Sequence, residues 1–487
     1  MVSVVIAQLP SPPFKNVFRE WAGGMGTTLS TTRSSYGHDQ QYYDIPYFSF
    51  LYIASSFEQQ NISYKYLDFQ SKESYPLQEI YDELFDCSPQ VLVTVINLPT
   101  LNADLDLLQE IKQQQPALKI IVLGPSAKWY KQRILTEGVV DIIMEGHEEN
   151  LTVINVSRIL NNSELALADL DLQGVSFLSY DKVVTTPTRD QLKNLNFIDF
   201  PAYHLLDFKR YESDFYFNSK YRYATVFTAK GCPYSCGYCP YPFGFGDKLI
   251  YRSPEKVVDD IERLINEFGV KQILFRDQVF TMNKKHASAV CNEIIARKLD
   301  VVWICETRYD IIDFELMELM YQAGCRELHY GLESADEELF AKVAKVDGPK
   351  SLDLFKQVIS WTKQAGIQCH VHMIVGMPDE SAQSLKNTTK WLREAKPGSV
   401  QVAYYVPYPG TPFWEELKST KVLGDVEQIN WDEMSSFDRP VVATKHLSIE
   451  QLRKATDRMK VDWQFTFLDR IENKIRRMLG MQIKAAK

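Results

Sequence analysis

The stretch Ala224-Thr225-Val226-Phe227-Thr228-Ala229-Lys230-Gly231-Cys232-Pro233-Tyr234-Ser235-Cys236-Gly237-Tyr238-Cys239 decides how this chain is read. Its first part, Ala224 to Ala229, is apolar and β-branched and reads as a strand. Its second part carries three cysteines spaced C-x3-C-x2-C among glycines and a proline, which keep it a loop in which the sulfurs can converge. Soft thiolates at this spacing suit an iron–sulfur cluster. Three of them cannot fill four cluster irons, so one iron is left without a protein ligand. A structural zinc site wants four ligands, often as two C-x-x-C pairs. No second pair exists in the sequence.

Downstream of this loop the pattern alternates. Pro254 to Phe268 reads as an amphipathic helix with proline at its start. Gln272 to Phe275, Val301 to Cys305, Glu327 to Tyr330, Cys369 to Val375 and Ser399 to Tyr404 read as strands. Helical patterns lie between them, such as Phe314 to Ala323 and Ser381 to Ala395. Six βα units in succession predict a partial (β/α)6 barrel over 221–415. The cysteine loop follows its first strand, where barrel enzymes place their chemistry.

Upstream, strands of continuous Val, Ile and Leu again alternate with helices: Val2 to Ala7, Tyr64 to Leu67, Gln90 to Ile96, Lys119 to Leu123 and Val139 to Met144. Such runs predict a doubly wound parallel sheet over 1–160, whose ligands bind at the carboxyl ends of the strands. The loops there are Gln8 to Pro13, Asn97 to Thr100, Gly124 to Ala127 and Glu145 to Glu149. Residues 161–220 are more polar and less periodic and read as a linker, and 416–487 as a helical C-terminal region. From Ser448 a capping box, Ser448-Ile449-Glu450-Gln451, opens a tail with ten Lys/Arg and five Asp/Glu. Leu452, Ala455, Met459, Trp463 and Phe467 form one face of it. The ordinary reading is a helix packed on the barrel. The sharper one puts the basic stretch 469–487 on an anionic membrane surface.

Bulk composition excludes several classes. With 487 residues the chain holds two or three domains, and its net charge of −9 argues against a nucleic-acid binder. No apolar run is long enough to span a bilayer. Met1 to Ile6 lacks the basic region of a signal peptide and reads as a first strand. Five cysteines, Cys87, Cys291, Cys305, Cys325 and Cys369, are scattered singly and read as buried small hydrophobes in a reducing cytoplasm.

The cysteine motif and its position resemble the radical S-adenosylmethionine enzymes. The resemblance implies that Cys232, Cys236 and Cys239 hold a [4Fe–4S] cluster, whose open iron is chelated by S-adenosylmethionine. Tyr238 matches the family's aromatic residue near the adenine, and Asp277 its acidic residue after the second strand. Gly331-Leu332-Glu333-Ser334 resembles the ribose-binding segment, implying Glu333 and Ser334 as contacts. A carboxylate suits two neighbouring hydroxyls, because both its oxygens accept. Ile374-Val375-Gly376-Met377-Pro378-Asp379-Glu380 is similar to the I-x-G-x-x-x-E segment against the adenine, implying Ile374 and Gly376. Tyr408-Pro409-Gly410-Thr411-Pro412 resembles the P-G-T-P turn after the sixth strand.

A parallel sheet ahead of such a barrel resembles the cobalamin-binding subfamily, over roughly residues 1–440. That implies cobalamin at the strand ends, with Asn97, Thr100, Gly124, Ser126, Gly146 and Glu148 as contacts. The D-x-H-x-x-G motif that supplies a histidine to cobalt does not occur. The domain either binds cobalamin without a histidine ligand or has lost it. The resemblance further implies a small-molecule substrate and an electron donor such as a flavodoxin or ferredoxin. Its activity would be methylation of an unactivated carbon of a natural product, tetrapyrrole or lipid, by way of a 5′-deoxyadenosyl radical. Cyclisation, ring rearrangement or carbon–carbon coupling on the same architecture is the alternative, and a non-catalytic corrinoid sensor a third. A second cysteine triad, which a methylthiotransferase would need, does not occur. Tyr404, Tyr405, Trp414, Trp431 and Phe437 could line an apolar substrate mouth, but ordinary packing is the favoured reading.

Overall fold

The computed structural model describes residues 2–12, 16–29, 45–71, 76–146, 148–188, 195–196, 200–213, 221–344, 352–420, 428–434 and 436–462. They fall into two compact units. The first comprises Met1–Tyr234, Cys239–Gln278 and Asn430–Met434, the second Ser235–Tyr238, Val279–Ile429 and Ser435–Lys487.

The first unit opens with β1 (Val4–Gln8) and a small antiparallel ribbon of β2 (Asn16–Phe18) and β3 (Thr27–Leu29). Then come β4 (Tyr64–Asp68), β5 (Val91–Val95), β6 (Lys119–Leu123), β7 (Ile142–Met144), β8 (Val175–Ser179) and β9 (Lys182–Thr185). The sheet order is β4-β1-β5-β6-β7-β8-β9. The first five of these are parallel, and β8 and β9 add to the edge antiparallel. Strands β1 and β5 are buried along their whole length, which is why they read as unbroken apolar runs. Phe50, Ile53, Ala54 and Phe57 of the helix Phe48–Gln59 cover one face, with Val153 and Val156 of the helix Glu148–Asn161.

The expected linker 161–220 is therefore partly sheet. Its strands β8 and β9 escape a hydrophobic scan because an antiparallel edge hairpin is half solvated, and β9 is exposed or half-buried throughout.

The first unit continues with β10 (Glu212–Ser213), β11 (Tyr221–Val226), β12 (Ala229–Lys230), β13 (Ile250–Tyr251) and β14 (Gln272–Phe275). Here β11 lies between antiparallel β10 and parallel β14, and β12 pairs with β13. The expected strand Ala224 to Ala229 thus ends at Val226. The amides of Thr228 and Ala229 donate to the Asp277 carboxylate at 3.0 and 2.5 Å instead of continuing the ladder. The helix Pro254–Phe268 follows, with Ser253 as its N-cap and Gly269 in the left-handed conformation at its end.

The second unit holds β15 (Val302–Thr307), β16 (Cys325–Glu333), β17 (Gln368–Val375) and β18 (Ser399–Tyr404), paired in parallel in that order. In chain order β11, β14, β15, β16, β17 and β18 are each followed by helix, as in a partial (β/α)6 barrel. Burial alternates along β17: Val371, Met373 and Val375 are buried, His370, His372 and Ile374 half-buried. After the barrel, Ser448 and Gln451 exchange the two bonds of a capping box and open the helix Ile449–Asp462. Leu452, Thr456 and Met459 on that helix are buried, as a packed helix requires. Trp463, Phe467 and the basic stretch 469–487 lie outside the described residues. Tyr404, Tyr405, Trp414 and Trp431 are all buried, in keeping with packing rather than a substrate mouth. No helix among the described residues is long and apolar enough to cross a membrane.

Candidate functional site

The cysteine loop is pinned at its base. Besides the two amides, the Asp277 carboxylate accepts the Thr228 hydroxyl at 2.8 Å, so Asp277 positions the chain entering the loop. Gly231 follows with φ +92°, and a Cβ there would lie 2.0 Å from the Lys248 carbonyl oxygen. Only glycine fits. The buried Cys232 then donates its amide to the Gly246 carbonyl at 3.0 Å. Cys236 and Cys239 are half-buried, and none of the eight cysteines is in a disulfide. Three soft donors without a fourth fit an iron–sulfur cluster with one open iron.

In the second unit, Gly237 sits against the Phe413 ring, which approaches to 2.4 Å of where a Cβ would be. The Phe413 amide donates to the Gly237 carbonyl at 2.9 Å. Phe413 is carried there by the helix Pro412–Thr420, whose start is held by the Thr411 hydroxyl. The next residue, Tyr238, donates its hydroxyl to Glu333 Oε1 at 2.7 Å.

Glu333 ends β16 at an irregularity in the register and adopts φ +62°, a conformation few non-glycine residues hold. Its carboxylate is buried, and Oε2 has no hydrogen-bond partner among the described residues. Burial pushes the carboxyl up to about 7, opposed by the bond from Tyr238 and raised further by Glu306. Leaving such an oxygen unpaired costs on the order of 1–3 kcal/mol. A strained residue presenting an unsatisfied acceptor is the mark of a ligand site. Oε1 is held by Tyr238, and Oε2 has acceptor capacity to spare. Gly331 explains itself here, because a Cβ on it would lie 2.6 Å from Glu333 Oε1.

The other expected contacts divide. Ser334 spends its hydroxyl within the chain, accepting the Asp336 amide at 3.2 Å beside the Thr388 hydroxyl at 3.4 Å. Ile374 is half-buried on β17, on the open face of the strand. Gly376 has φ +91°, and a side chain there would meet Leu452 at 2.7 Å. Glu380, at the end of the same motif, is buried and accepts from Ser384 at 2.5 Å, and burial pushes its carboxyl up to about 7.

At the strand ends of the N-terminal sheet the chain fills its own cradle. Asn97 donates to the carbonyls of Arg19 and Gly24 at 2.8 and 2.7 Å. The Leu98 amide and the Ser126 hydroxyl both donate to the Met25 carbonyl, at 2.9 and 3.3 Å. The buried Arg19 guanidinium forks onto Asp104 at 2.8 and 2.9 Å and also reaches Asn97 Oδ1 and the Thr100 hydroxyl. Above Gly124, at φ +97°, the Gly24 carbonyl lies 3.8 Å from where a Cβ would be. On the far side of the segment, a Cβ on Gly23 would lie 2.6 Å from Tyr241 Cα. Gly146 is kept small by Leu151 and Thr188. Asn97, Thr100, Gly124, Ser126 and Gly146, the expected cofactor contacts, all have neighbours within the chain. They hold residues 19–26 or pack internally. Glu148 begins a helix, and its side chain lies outside the described residues.

Pattern reading missed one network. Lys230, just before the cysteine loop, makes a buried ion pair with Glu149, which also accepts the Ser49 hydroxyl at 2.9 Å. Burial alone would raise the Glu149 carboxyl, but the Lys230 ammonium beside it holds it below the usual range. Glu20 lies nearby, accepting the Phe48 amide at 3.2 Å, and burial pushes it up to about 7 against the charges of Arg276 and Lys230. A lysine adjoining the motif was the available signal, but its partner lies far away in sequence.

Comparison with known proteins agrees with this geometry. The model of the radical SAM superfamily matches residues 226–392, and that of the B12 binding domain residues 40–154. An uncharacterized methyltransferase of Pyrococcus horikoshii is 30% identical over 288 residues, 58% of this chain and 60% of its own. The anaerobic magnesium-protoporphyrin IX monomethyl ester cyclase of Cereibacter sphaeroides is 26% identical over 380 residues, 77% of this chain and 60% of its own. The chain thus spans about 60% of the length of these curated relatives. The radical S-adenosylmethionine methyltransferase TsrM from Kitasatospora setae, solved with cobalamin and a [4Fe–4S] cluster bound, shares the fold. Its TM-score is 0.66 at 15% identity, covering 86% of this chain and 78% of that one. The chain is thus similar to the radical SAM superfamily over residues 226–392, and to the B12 binding domain over residues 40–154 ahead of them.

Proposed function

We propose that the chain is a radical S-adenosylmethionine enzyme that methylates a carbon of a small-molecule substrate with the help of cobalamin. The observation that carries the first half of this reading is the Tyr238–Glu333 pair: a buried carboxylate with one oxygen held by the tyrosine directly before the third cysteine and the other open. When bound, the cluster and S-adenosylmethionine supply a hydrogen-abstracting carbon radical, and cobalamin supplies a methyl group. The protein's own part is placement and exclusion of water. Asp277 and Gly231 set the entry to the cysteine loop, and Phe413 seals Gly237. Glu333 accepts ribose hydroxyls, Tyr238 fixes its orientation, and Ile374 and Gly376 lie toward the adenine. Cys232, Cys236 and Cys239 hold the cluster. A flavodoxin or ferredoxin in a reducing cytoplasm would supply the electron.

Anaerobic incubation of the reconstituted protein with S-adenosylmethionine and dithionite tests the radical step, with 5′-deoxyadenosine and methionine as expected products. Their absence from cluster-replete protein would sink the reading. Hydroxocobalamin tests the second half. The protein should retain it in near-equimolar amount without a histidine ligand to cobalt. Retention of no corrinoid would leave a domain that has lost its cofactor.

The relative named as a cyclase, matched over 77% of this chain, favours radical cyclisation without methyl transfer as the second reading. Transfer of label from methyl-labelled S-adenosylmethionine into product separates the two. Contact of 469–487 with an anionic membrane remains a proposal from the basic tail. Pelleting with anionic vesicles by the full chain, but not by a chain ending at Leu468, is the expected result.

A further inference from the structure

Three histidines converge on the open faces of two neighbouring barrel strands. His329 lies on β16, and His370 and His372 lie on β17. The register pairs His329 with His370 and Gly331 with His372. Side chains alternate along a strand. Leu328, Tyr330 and Leu332 fill one face of β16, which leaves Glu327, His329 and Gly331 on the other. One ring nitrogen from each histidine lies within 4.8 Å of the other two. His329 Nδ1 and His372 Nε2 are 3.1 Å apart. Two nitrogens bound to one tetrahedral ion at about 2.0–2.1 Å would stand roughly 3.3 Å apart, so little movement is needed.

The second ring nitrogens are provided for. Glu327 Oε1 meets His329 Nε2 at 2.9 Å, and the Ser399 hydroxyl meets His370 Nδ1 at 2.6 Å. Gln401 hydrogen-bonds His372, its register partner on β18. Each imidazole thus has a polar partner besides its neighbouring rings, which helps to fix the ring. Metal-binding histidines are built this way, with a carboxylate or other polar group on the outer nitrogen. Burial, and then the neighbouring imidazoles, push His370 and His372 below the ordinary histidine range. Neutral imidazole is the ligating form. None of these residues belongs to the cysteine loop or to the Glu333 pocket.

We propose that His329, His370 and His372 form a second metal site, which takes one divalent first-row ion, with Glu327, Ser399 and Gln401 as its outer shell. Three imidazoles with no thiolate suit Zn(II), Co(II), Ni(II) or Fe(II). Three protein ligands leave a fourth position for water. A chain of hydrogen bonds from His372 through His329 to Glu327, with no ion, is the alternative arrangement of the same atoms.

The test uses the full-length, cluster-reconstituted protein, freed of loose metal by a chelator and titrated with Zn(II). One equivalent should bind with the iron content unchanged. Zinc X-ray absorption should show imidazole ligands at about 2.0–2.1 Å and no sulfur at about 2.3 Å. His372→Gln and His370→Gln should abolish this binding while about four irons per chain are kept. Glu327→Gln should weaken it about 10–100-fold, and this milder variant decides the matter if the histidine variants fail to hold iron. No zinc uptake, sulfur ligation, or a Glu327→Gln variant that binds like wild type would each overturn the site in favour of the ion-free chain.

Discussion

Two regions of this molecule were expected to touch a cofactor, and they treat their polar groups in opposite ways. At the end of β16, Glu333 is buried with one carboxylate oxygen unpaired, at a backbone conformation that costs energy. At the ends of β5 and β6, Asn97, Thr100 and Ser126 are buried too, yet their side chains are bonded to the chain's own residues or to one another. Residue types alone do not distinguish the two. The difference lies in whether the fold has already supplied the partners. An unspent acceptor points to a ligand, whereas a spent one points to architecture until something displaces it.

The strongest way to break this comparison is at the cysteines. Replacing Cys232, Cys236 or Cys239 with Ala should abolish S-adenosylmethionine cleavage altogether. Cys291→Ala should leave iron content untouched, because burial raises that thiol and keeps it inert. Iron retained in the triad variants would mean that the loop does not hold the cluster.

Next in size is Arg19→Ala, which leaves Asp104 charged and buried without its fork. Denaturant unfolding should show a loss of about 3–5 kcal/mol. A loss under about 1 kcal/mol would mean that the segment 19–26 is not held at the strand ends by this pair.

Glu333→Gln should weaken S-adenosylmethionine binding by about 1.5–3 kcal/mol, measured by equilibrium binding at constant iron content. Its effect on the ligand-free protein has the opposite sign. The folded carboxyl titrates at about 7 against an ordinary 4.5, so the folded state binds more protons between those values. Stability from this group therefore falls as pH rises from about 4.5 to 7. The variant should lack that slope and be more stable than wild type at pH 8. Equal pH profiles would show that the carboxylate is not desolvated as the structure has it.

Ser334→Ala should do least. It removes hydrogen bonds worth about 0.5–1.5 kcal/mol of stability and should leave S-adenosylmethionine affinity unchanged. A loss of affinity comparable to that of Glu333→Gln would return Ser334 to the ligand site.

Local pattern was enough wherever local pattern is what folds the chain. Lys119–Leu123, Pro254–Phe268, Gln272–Phe275 and Ser399–Tyr404 form with the bounds that periodicity and capping predict. The capping box at Ser448 forms, because both of its bonds are made within four residues. The half-solvated hairpin of β8 and β9 was not legible, since neither strand carries a continuous apolar run. The early end of β11 was hidden as well, because Asp277, nearly fifty residues on, takes its next amides.

The sequence by itself determined the chemistry that a few adjacent residues can perform. The three cysteines and the glycines among them specify a cluster loop whatever surrounds them, because the donors lie within one turn of chain. It also determined the order of the apolar strands and of the helices between them, which follows from side-chain periodicity. Only the tertiary structure decided which polar residues remain available. It closed Asn97 and Ser126 over residues 19–26, committed Asp277 to the loop's base, paired Lys230 with Glu149, and left Glu333 with an open oxygen. It also brought His329 to within reach of His370 and His372, some forty residues on, through the register of two strands. Availability is a property of burial and of partners distant in sequence, and a chain acquires both only when it folds.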